Sequence, residues 1–237
     1  MQIINIDHHP ESVFERRASR MRRSVWWSGI GHGAAFSGYY GARPWFVTLT
    51  YRPGVEWSAK HVADAIQRCR VWLKRRGGGK LRYTWVAELQ QRGAVHYHLI
   101  VYLPRGLSMP KWDKQCWWPH GMTNTQLGKS GVGYLMKYVS KANPFHKFPD
   151  GMRLYGIGGL NAQARSIRAW HNLPSWIKNE FGVGEVVRRS CGYLVRATGE
   201  ILESPWVLYR GPGQLLLRLH GELSPRSWDG PYSKVTV

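Results

Sequence analysis

The feature that most constrains the fold is a pair of strand-like segments separated by a short loop that contains glycine. Residues 81–90 and 94–103 are both rich in β-branched and aromatic side chains, which favour strands. Between them, Gln91-Arg92-Gly93 suits a three-residue hairpin loop, with the glycine in the left-handed conformation. The chain is therefore expected to contain an antiparallel hairpin whose register is set by this loop.

The predicted hairpin gathers metal-binding side chains on one face. His96 and His98 point the same way because side chains alternate along a strand. The loop places Glu88 opposite His96, with about 5 Å between the Cβ atoms. Two imidazoles and one carboxylate suit Mg²⁺ or Mn²⁺ in use, although Zn²⁺ or Ni²⁺ would bind as well or better. A one-residue slip would turn Glu88 away, and two unrelated surface histidines are the alternative for the pair alone.

The remaining patterns complete an α+β class. Strands are expected at 44–51 and, as an edge strand, at 121–126, with helices at 58–76, 108–117 and 134–142. After residue 150 the signals weaken to helices at 161–170 and 174–181 and a hairpin over 185–209, interpreted as a small C-terminal α+β appendage. The expected domains are a basic N-terminal extension at 1–43, a core at 44–146 and the appendage at 147–237.

Charge narrows the choice of partners. The chain has 34 Lys+Arg against 14 Asp+Glu, a formal net charge of +20, so a polyanion is the natural partner, with nucleic acid ahead of an anionic membrane surface. No apolar run is long enough to span a bilayer, and no membrane partner is expected. The extension at 1–43 is either a basic arm that grips phosphates or a solvated segment. No signal peptide and three scattered cysteines indicate a cytoplasmic protein.

The helix predicted at 134–142 carries candidate nucleophiles. At 100° per residue, Tyr134 and Tyr138 share one arc with Lys137 and Lys141, while apolar residues occupy the rest of the helix surface. A phenol is a poor nucleophile at pH 7, but nearby ammonium groups and a metal ion can activate it toward phosphate. The alternative is an amphipathic helix whose tyrosine and lysine stems cover the core.

Three motifs in this order resemble the rolling-circle replication initiators, the HUH endonucleases of single-stranded DNA phages and plasmids. The first is Phe46-Val-Thr-Leu-Thr-Tyr51. The second is His96-Tyr97-His98 with Glu88 upstream, and the third is Tyr134 through Lys141 in the YxxKYxxK form of the two-tyrosine branch. The resemblance covers about residues 44–145.

The resemblance implies both fold and chemistry. The expected fold is a central antiparallel sheet of about five strands with helices packed on it, related to RNA-recognition-type sheets. His96 and His98 would bind Mg²⁺ or Mn²⁺, with Glu88 as third ligand. Tyr138 or Tyr134 would attack first and the other would act at termination, while two lysines assist the phenolate or the phosphate. These lysines are Lys137 and Lys141.

The family's biology implies the substrate and partners. Such an enzyme nicks single-stranded DNA at a replication origin and stays attached to the 5′ phosphate. It leaves a 3′ hydroxyl for the host polymerase and later closes the displaced circle. Host helicase and polymerase in the bacterial cytoplasm are the expected partners. The alternatives are an HUH transposase or relaxase, or a non-catalytic basic nucleic-acid-binding protein. Relaxases commonly place the tyrosine before the histidines, whereas here the tyrosines follow.

Overall fold

The fold is described by a computed structural model over most of the chain. The described residues are 13–37, 43–90, 93–128, 132–140, 148–204, 206–211 and 214–219. Contacts divide the chain into two compact units, one of them Arg17–Arg165 and the other containing the described residues from Ser166 onward. The division at 43 and 146 expected from sequence stays a prediction about functional domains, and the compact units do not follow it.

A five-stranded antiparallel sheet lies in the first unit, which confirms the expected α+β class and central sheet. In chain order its strands are β1 (Arg43–Tyr51), β2 (Arg82–Leu89), β3 (Val95–Leu103), β4 (Gly121–Leu127) and β5 (Tyr155–Gly158). Their spatial order is β4-β1-β3-β2-β5, so β3 is central and β4 is an edge strand, as expected. Gln91 and Arg92 lie outside the described residues, but Gly93 has the expected left-handed backbone, with φ of 79°.

One face of the sheet is apolar and is covered by a helix. Helix α2 (Ala59–Arg75) begins after Ser58, whose side chain accepts a hydrogen bond from the backbone N–H of Lys60, as N-cap residues do. Its buried stripe packs with the inward residues of β1, β2 and β3. This cluster includes Val62, Ile66, Cys69, Leu73, Val47, Leu49, Tyr97, Leu99 and Val101.

The opposite face is covered in part by a helix that the sequence patterns did not predict. Residues 13–37 were expected to be a basic arm or a solvated extension, but they form helix α1 (Val13–Ser37). Its side chains reach the even-numbered face of the sheet: Ser28 Oγ lies 3.2 Å from Thr84 Oγ1, and the His32 ring centroid is 5.0 Å from that of Tyr102. The buried positions of α1 follow a helical spacing that includes small polar residues.

Two further differences concern the segments around β4 and β5. The helix expected at 108–117 is wrong, because this segment folds as successive turns. Cys116 has a positive φ of 55°, which interrupts a helix, and the backbone N–H groups of Trp117 and Trp118 both donate to the carbonyl of Trp112. Strand β5 was not expected from sequence.

The second unit contains a small α+β arrangement of its own. Its apolar cluster joins α5 (Ser175–Glu180) to strands β6 (Val186–Arg189) and β7 (Gly192–Val195). Strand β8 (Ile201–Leu202) pairs with β7 across the turn that the sequence predicted, but β6 and β7 form an additional hairpin. The last two strands, β9 (Trp206–Gly211) and β10 (Gln214–Leu219), pair with each other. The helix expected at 161–170 is α4 (Ala162–His171).

Candidate active site

The strand register brings the candidate metal ligands to one face of the sheet. Glu88 on β2 is the direct partner of His96 on β3, as the hairpin loop predicts. His98 follows two residues later on the same strand and therefore lies on the same face. This is the face opposite α2, because Tyr97 between the two histidines belongs to the apolar cluster under that helix.

His98 is held by neighbours from both adjacent strands. Its Nε2 lies 2.7 Å from Oε2 of Glu88, and its Nδ1 lies 3.3 Å from Oγ1 of Thr48 on β1. The residue is 5% exposed, so the ring is fixed between a carboxylate and a hydroxyl inside the protein. Such contacts select the tautomer and orientation of an imidazole that binds a metal.

The donor set fits a divalent cation, but the arrangement is closed on itself. The rings of His96 and His98 have centroids 6.3 Å apart. Glu88 bonds directly to His98, so both would have to turn their lone pairs from each other toward an ion. Among the described residues, no three His, Cys, Asp or Glu side chains are grouped to hold a metal ion. The Mg²⁺ or Mn²⁺ site therefore stays a prediction that is supported by donor chemistry.

The two candidate nucleophiles meet this face from helix α3 (Gly133–Ser140). The ring of Tyr138 stacks on His98 with 3.5 Å between centroids and 13° between planes. Its hydroxyl donates to the hydroxyl of Tyr134 at 2.8 Å, and the Tyr134 ring stacks on Phe46 of β1 at 4.0 Å. Both phenols thus lie together beside the imidazole that Glu88 contacts, although their catalytic roles are still predictions.

The local sequence of α3 explains this placement. Leu135 and Val139 are fully buried, so one side of the helix packs into the protein and turns the tyrosines toward the sheet. Lys137 is exposed on the described helix, whereas Lys141 lies outside the described residues. Helix α1 supports the start of α3 closely, because a Cβ at Gly29 would lie 2.1 Å from Cβ of Val132.

The surroundings of Tyr138 oppose ionisation of its phenol. Burial raises the pKa of Tyr138 well above its usual value, and the hydrogen bond to Tyr134 and the negative charge of Glu88 raise it further. A phenol in this arrangement remains protonated at neutral pH. Its activation would require positive charge or loss of its proton as it attacks.

Sequence reasoning found the metal and nucleophile candidates but missed the residues that position them. Thr48 and Phe46 lie within the first motif and contact His98 and Tyr134, and alternation along β1 could have indicated that both face the histidines. Gly29 belongs to the helix that was not predicted. Small residues at helical spacing in 18–32 were the available signal for that packing face.

Comparison with known proteins supports a role for this region in replication. Residues 44–143 match a family model of replication-associated proteins of the ORF2 type. The matched segment includes β1, the β2–β3 hairpin and both tyrosines. No curated protein and no solved structure matches the chain. Within the described ranges, no helix combines the length and apolar character that a membrane crossing requires. The family match supports a role in replication initiation and contact with nucleic acid.

Proposed function

We propose that the protein is a rolling-circle replication initiator of the HUH, two-tyrosine type. It nicks single-stranded DNA at an origin, holds the 5′ phosphate on a tyrosine, and later rejoins the strand. The observation that carries this proposal is the contact of Tyr138 with His98, whose other neighbour is Glu88. A nucleophile, imidazoles and a carboxylate from three separate elements thereby meet on one face of the sheet.

The proposed step is a transesterification. The phenolic oxygen of Tyr138 or Tyr134 forms a bond to phosphorus, and the bond from phosphorus to the 3′ oxygen breaks. The phenolic proton passes to solvent, and the departing 3′ oxygen takes up a proton. No oxidant or nucleotide is consumed, because the phosphodiester becomes a phosphotyrosine diester. Attack on that diester by a 3′ hydroxyl reverses the exchange and closes the strand.

His96, His98 and Glu88 would hold the divalent cation. When bound, Mg²⁺ or Mn²⁺ would supply positive charge to the phosphate oxygens. Thr48 keeps His98 oriented through its Nδ1, and the packing of Leu135 and Val139 fixes the side of α3 that faces the phosphate.

Two neighbouring phenols suit two successive exchanges. The hydroxyl of Tyr134 accepts the hydrogen bond of Tyr138, so each oxygen is within one hydrogen bond of the other's position. One tyrosine can hold the first 5′ end while the second attacks after a round of synthesis. Lys137 and Lys141 are proposed to neutralise charge on the phenolate or the phosphate.

The proposed setting follows from the product. The nick leaves a 3′ hydroxyl for a host polymerase, and continued displacement calls for a host helicase. Both partners belong to the cytoplasm of a bacterial cell. The large positive charge of the chain supports affinity for the DNA backbone that decreases as salt increases.

The deciding experiment is capture of the covalent intermediate. A 3′-labelled pool of single-stranded oligonucleotides of randomised sequence is incubated with the protein and Mn²⁺ and then denatured. We expect a labelled protein–DNA adduct that disappears with a chelator and in the Tyr134→Phe/Tyr138→Phe variant. The Tyr83→Phe variant changes a tyrosine outside the site and should retain the adduct. No adduct, or an adduct that persists in the double variant, would overturn the proposal and favour a non-catalytic DNA-binding protein.

A further inference from the structure

A groove on the side of the protein away from the candidate active site combines positive charge with aromatic rings. It lies between the outer face of α2 and the turns that precede β4, and its volume is about 420 Å³. Its lining includes Arg68, Trp72, Arg75, Arg76, Gln115 and Trp117. All eight lining residues are within the described residues, and none of them is acidic.

The three arginines of the groove are available to an anionic ligand. Arg68, Arg75 and Arg76 are all exposed, and within the described part of the chain none of them is ion-paired with a carboxylate. Arg68 donates to the backbone carbonyls of Cys116 and Trp117, so it also holds the turn against the helix. Cations near a helix C-terminus are favourable by themselves, but that effect does not explain their placement around a shared groove.

The aromatic part of the groove suits a nucleobase. Trp72 is half-buried and meets Trp117 edge-on, with ring centroids 5.6 Å apart and planes at 62°. The guanidinium carbon of Arg76 lies 4.8 Å from the centroid of the Trp72 ring. Indole rings and guanidinium planes are the surfaces on which proteins stack unpaired bases. Duplex DNA does not present its base faces, whereas a single strand does.

The groove and the candidate active site are on opposite sides of the sheet. The buried side of α2 packs with Tyr97 and Leu99, whereas His96 and His98 face the other way. A nucleotide in the groove is therefore separated from the tyrosines by the whole sheet. The turns beside the groove lead into the edge strand β4, so a strand that occupies both sites would pass around that edge.

From these observations we infer that the groove is a second binding site for single-stranded DNA, in which arginines hold phosphates and Trp72 stacks a base. The choice of DNA as the ligand rests on the proposed function, but the site is distinct from the one that would cut. It gives the protein a contact with the strand that is independent of cleavage.

The test compares two variants with equal loss of charge on the same helix. Arg75→Gln/Arg76→Gln changes the groove, and Lys60→Gln/Lys74→Gln changes two exposed cations of the α2 segment that do not line it. Both are placed in the full chain carrying Tyr134→Phe/Tyr138→Phe, and binding of a fluorescent single strand of about 30 nucleotides, long enough to span several base-stacking sites, is measured in chelator at several salt concentrations. Cleavage is absent throughout, so failure of the proposed chemistry cannot alter this result.

We expect the groove variant to bind at least about 10-fold more weakly than the control variant. Its salt slope should fall by about 1.4, the value for two lost phosphate contacts on a single strand. An equal loss in the two variants would show that only overall charge matters and would overturn the inference. A loss of the same size for a duplex would also overturn it, because base stacking would then play no part.

A second measurement locates the base directly. A single strand carrying 5-iododeoxyuridine is photocrosslinked to the cleavage-deficient protein, and the attached peptides are identified by mass spectrometry. We expect crosslinks in the peptide that contains Trp72. Crosslinks confined to peptides of the histidine face would contradict a second site, even if the variants fold normally.

Discussion

The two faces of the central sheet are made from the same strands but from different kinds of side chain. On β3, Tyr97 and Leu99 belong to a large apolar cluster under α2, whereas His96 and His98 face a pair of helices. That second face also includes Glu88 and contacts the hydroxyls of α1 and α3. One strand therefore contributes alternately to the core and to the candidate active site.

This difference indicates a division of roles between the faces. Apolar burial on the α2 face should supply most of the stability, at roughly 25 cal/mol per Å² of buried area. Hydrogen bonds on the histidine face contribute about 1 kcal/mol each at most in net terms, but they fix the geometry of reactive groups. The face that carries the proposed chemistry should therefore tolerate polar substitutions better than the face that supports it.

The largest effect on stability is expected on the apolar face. Leu99→Ala removes a fully buried side chain from the central strand and should lower the free energy of unfolding by about 2–5 kcal/mol. Leu127→Ala makes the same change on the edge strand, where the side chain is 46% exposed, and should cost far less. Chemical denaturation of both variants checks this. Similar losses in the two would contradict the assignment of the core.

A pH-dependent effect is expected from an imidazole buried on the histidine face. Burial lowers the pKa of His32 to about 4, the nearby Arg82 also lowers it, and the backbone of Tyr83 partly offsets both. Below about pH 6.5 the unfolded chain binds a proton at this position that the folded chain does not bind. Stability is therefore fully present above about pH 6.5 and is lost as the pH falls toward about 4.

The measurement is the free energy of unfolding of the wild type and His32→Leu from about neutral pH down to about pH 4. The wild type should lose roughly 3 kcal/mol more than the variant over this range, because a difference of one pH unit between the folded and unfolded pKa corresponds to about 1.4 kcal/mol. Other titrating groups act equally in both proteins. Parallel pH profiles would show that His32 is accessible to protons in the folded state.

The tyrosine pair should matter more for activity than for stability. Tyr134→Phe/Tyr138→Phe deletes the bond between the two hydroxyls but keeps the rings stacked on Phe46 and His98. Because both partners of the bond are removed, the free energy of unfolding should change by about 1 kcal/mol or less. Thermal and chemical unfolding test this directly. A loss of several kcal/mol would mean that α3 is held to the sheet mainly through these hydroxyls.

The smallest change in stability is expected from Thr48→Val, which removes the hydroxyl 3.3 Å from Nδ1 of His98. Under the proposed function, the loss of this orienting contact should raise the Mn²⁺ concentration needed for half-maximal adduct by about 10–100-fold. The yield at saturating Mn²⁺ should change less than the midpoint. An unchanged midpoint would show that Glu88 alone orients the imidazole.

Much of the sheet was predictable because its signals are local. The loop at 91–93 indicated the register that pairs Glu88 with His96, and Ser58 correctly predicted the start of α2. The α3 segment was also predictable from its spacing of apolar residues. In each case the pattern lies within one or two neighbouring elements, where side-chain periodicity and loop chemistry act directly.

The missed elements depend on contacts between distant segments. Helix α1 packs through Ser24, Ser28 and glycines, which carry little hydrophobic signal, and its arginines suggested a solvated arm. Strand β5 has glycines at 156 and 158, where a Cβ would lie 2.3 Å from the rings of Trp85 and Tyr83. Glycine is unfavourable for strands in isolation, so only the neighbouring aromatic rings explain its presence here.

Strand β3 is buried at every position and has a hydrogen-bonded neighbour along each edge. Amide protons in such a strand exchange with solvent only when the whole unit opens, whereas a two-turn helix on the surface of a sheet exchanges earlier. We expect hydrogen–deuterium exchange to be slowest around Tyr97 and faster in α3. The histidines would then keep their positions while the helix detaches and returns, so a DNA end bound to a tyrosine could move without disturbing its anchor.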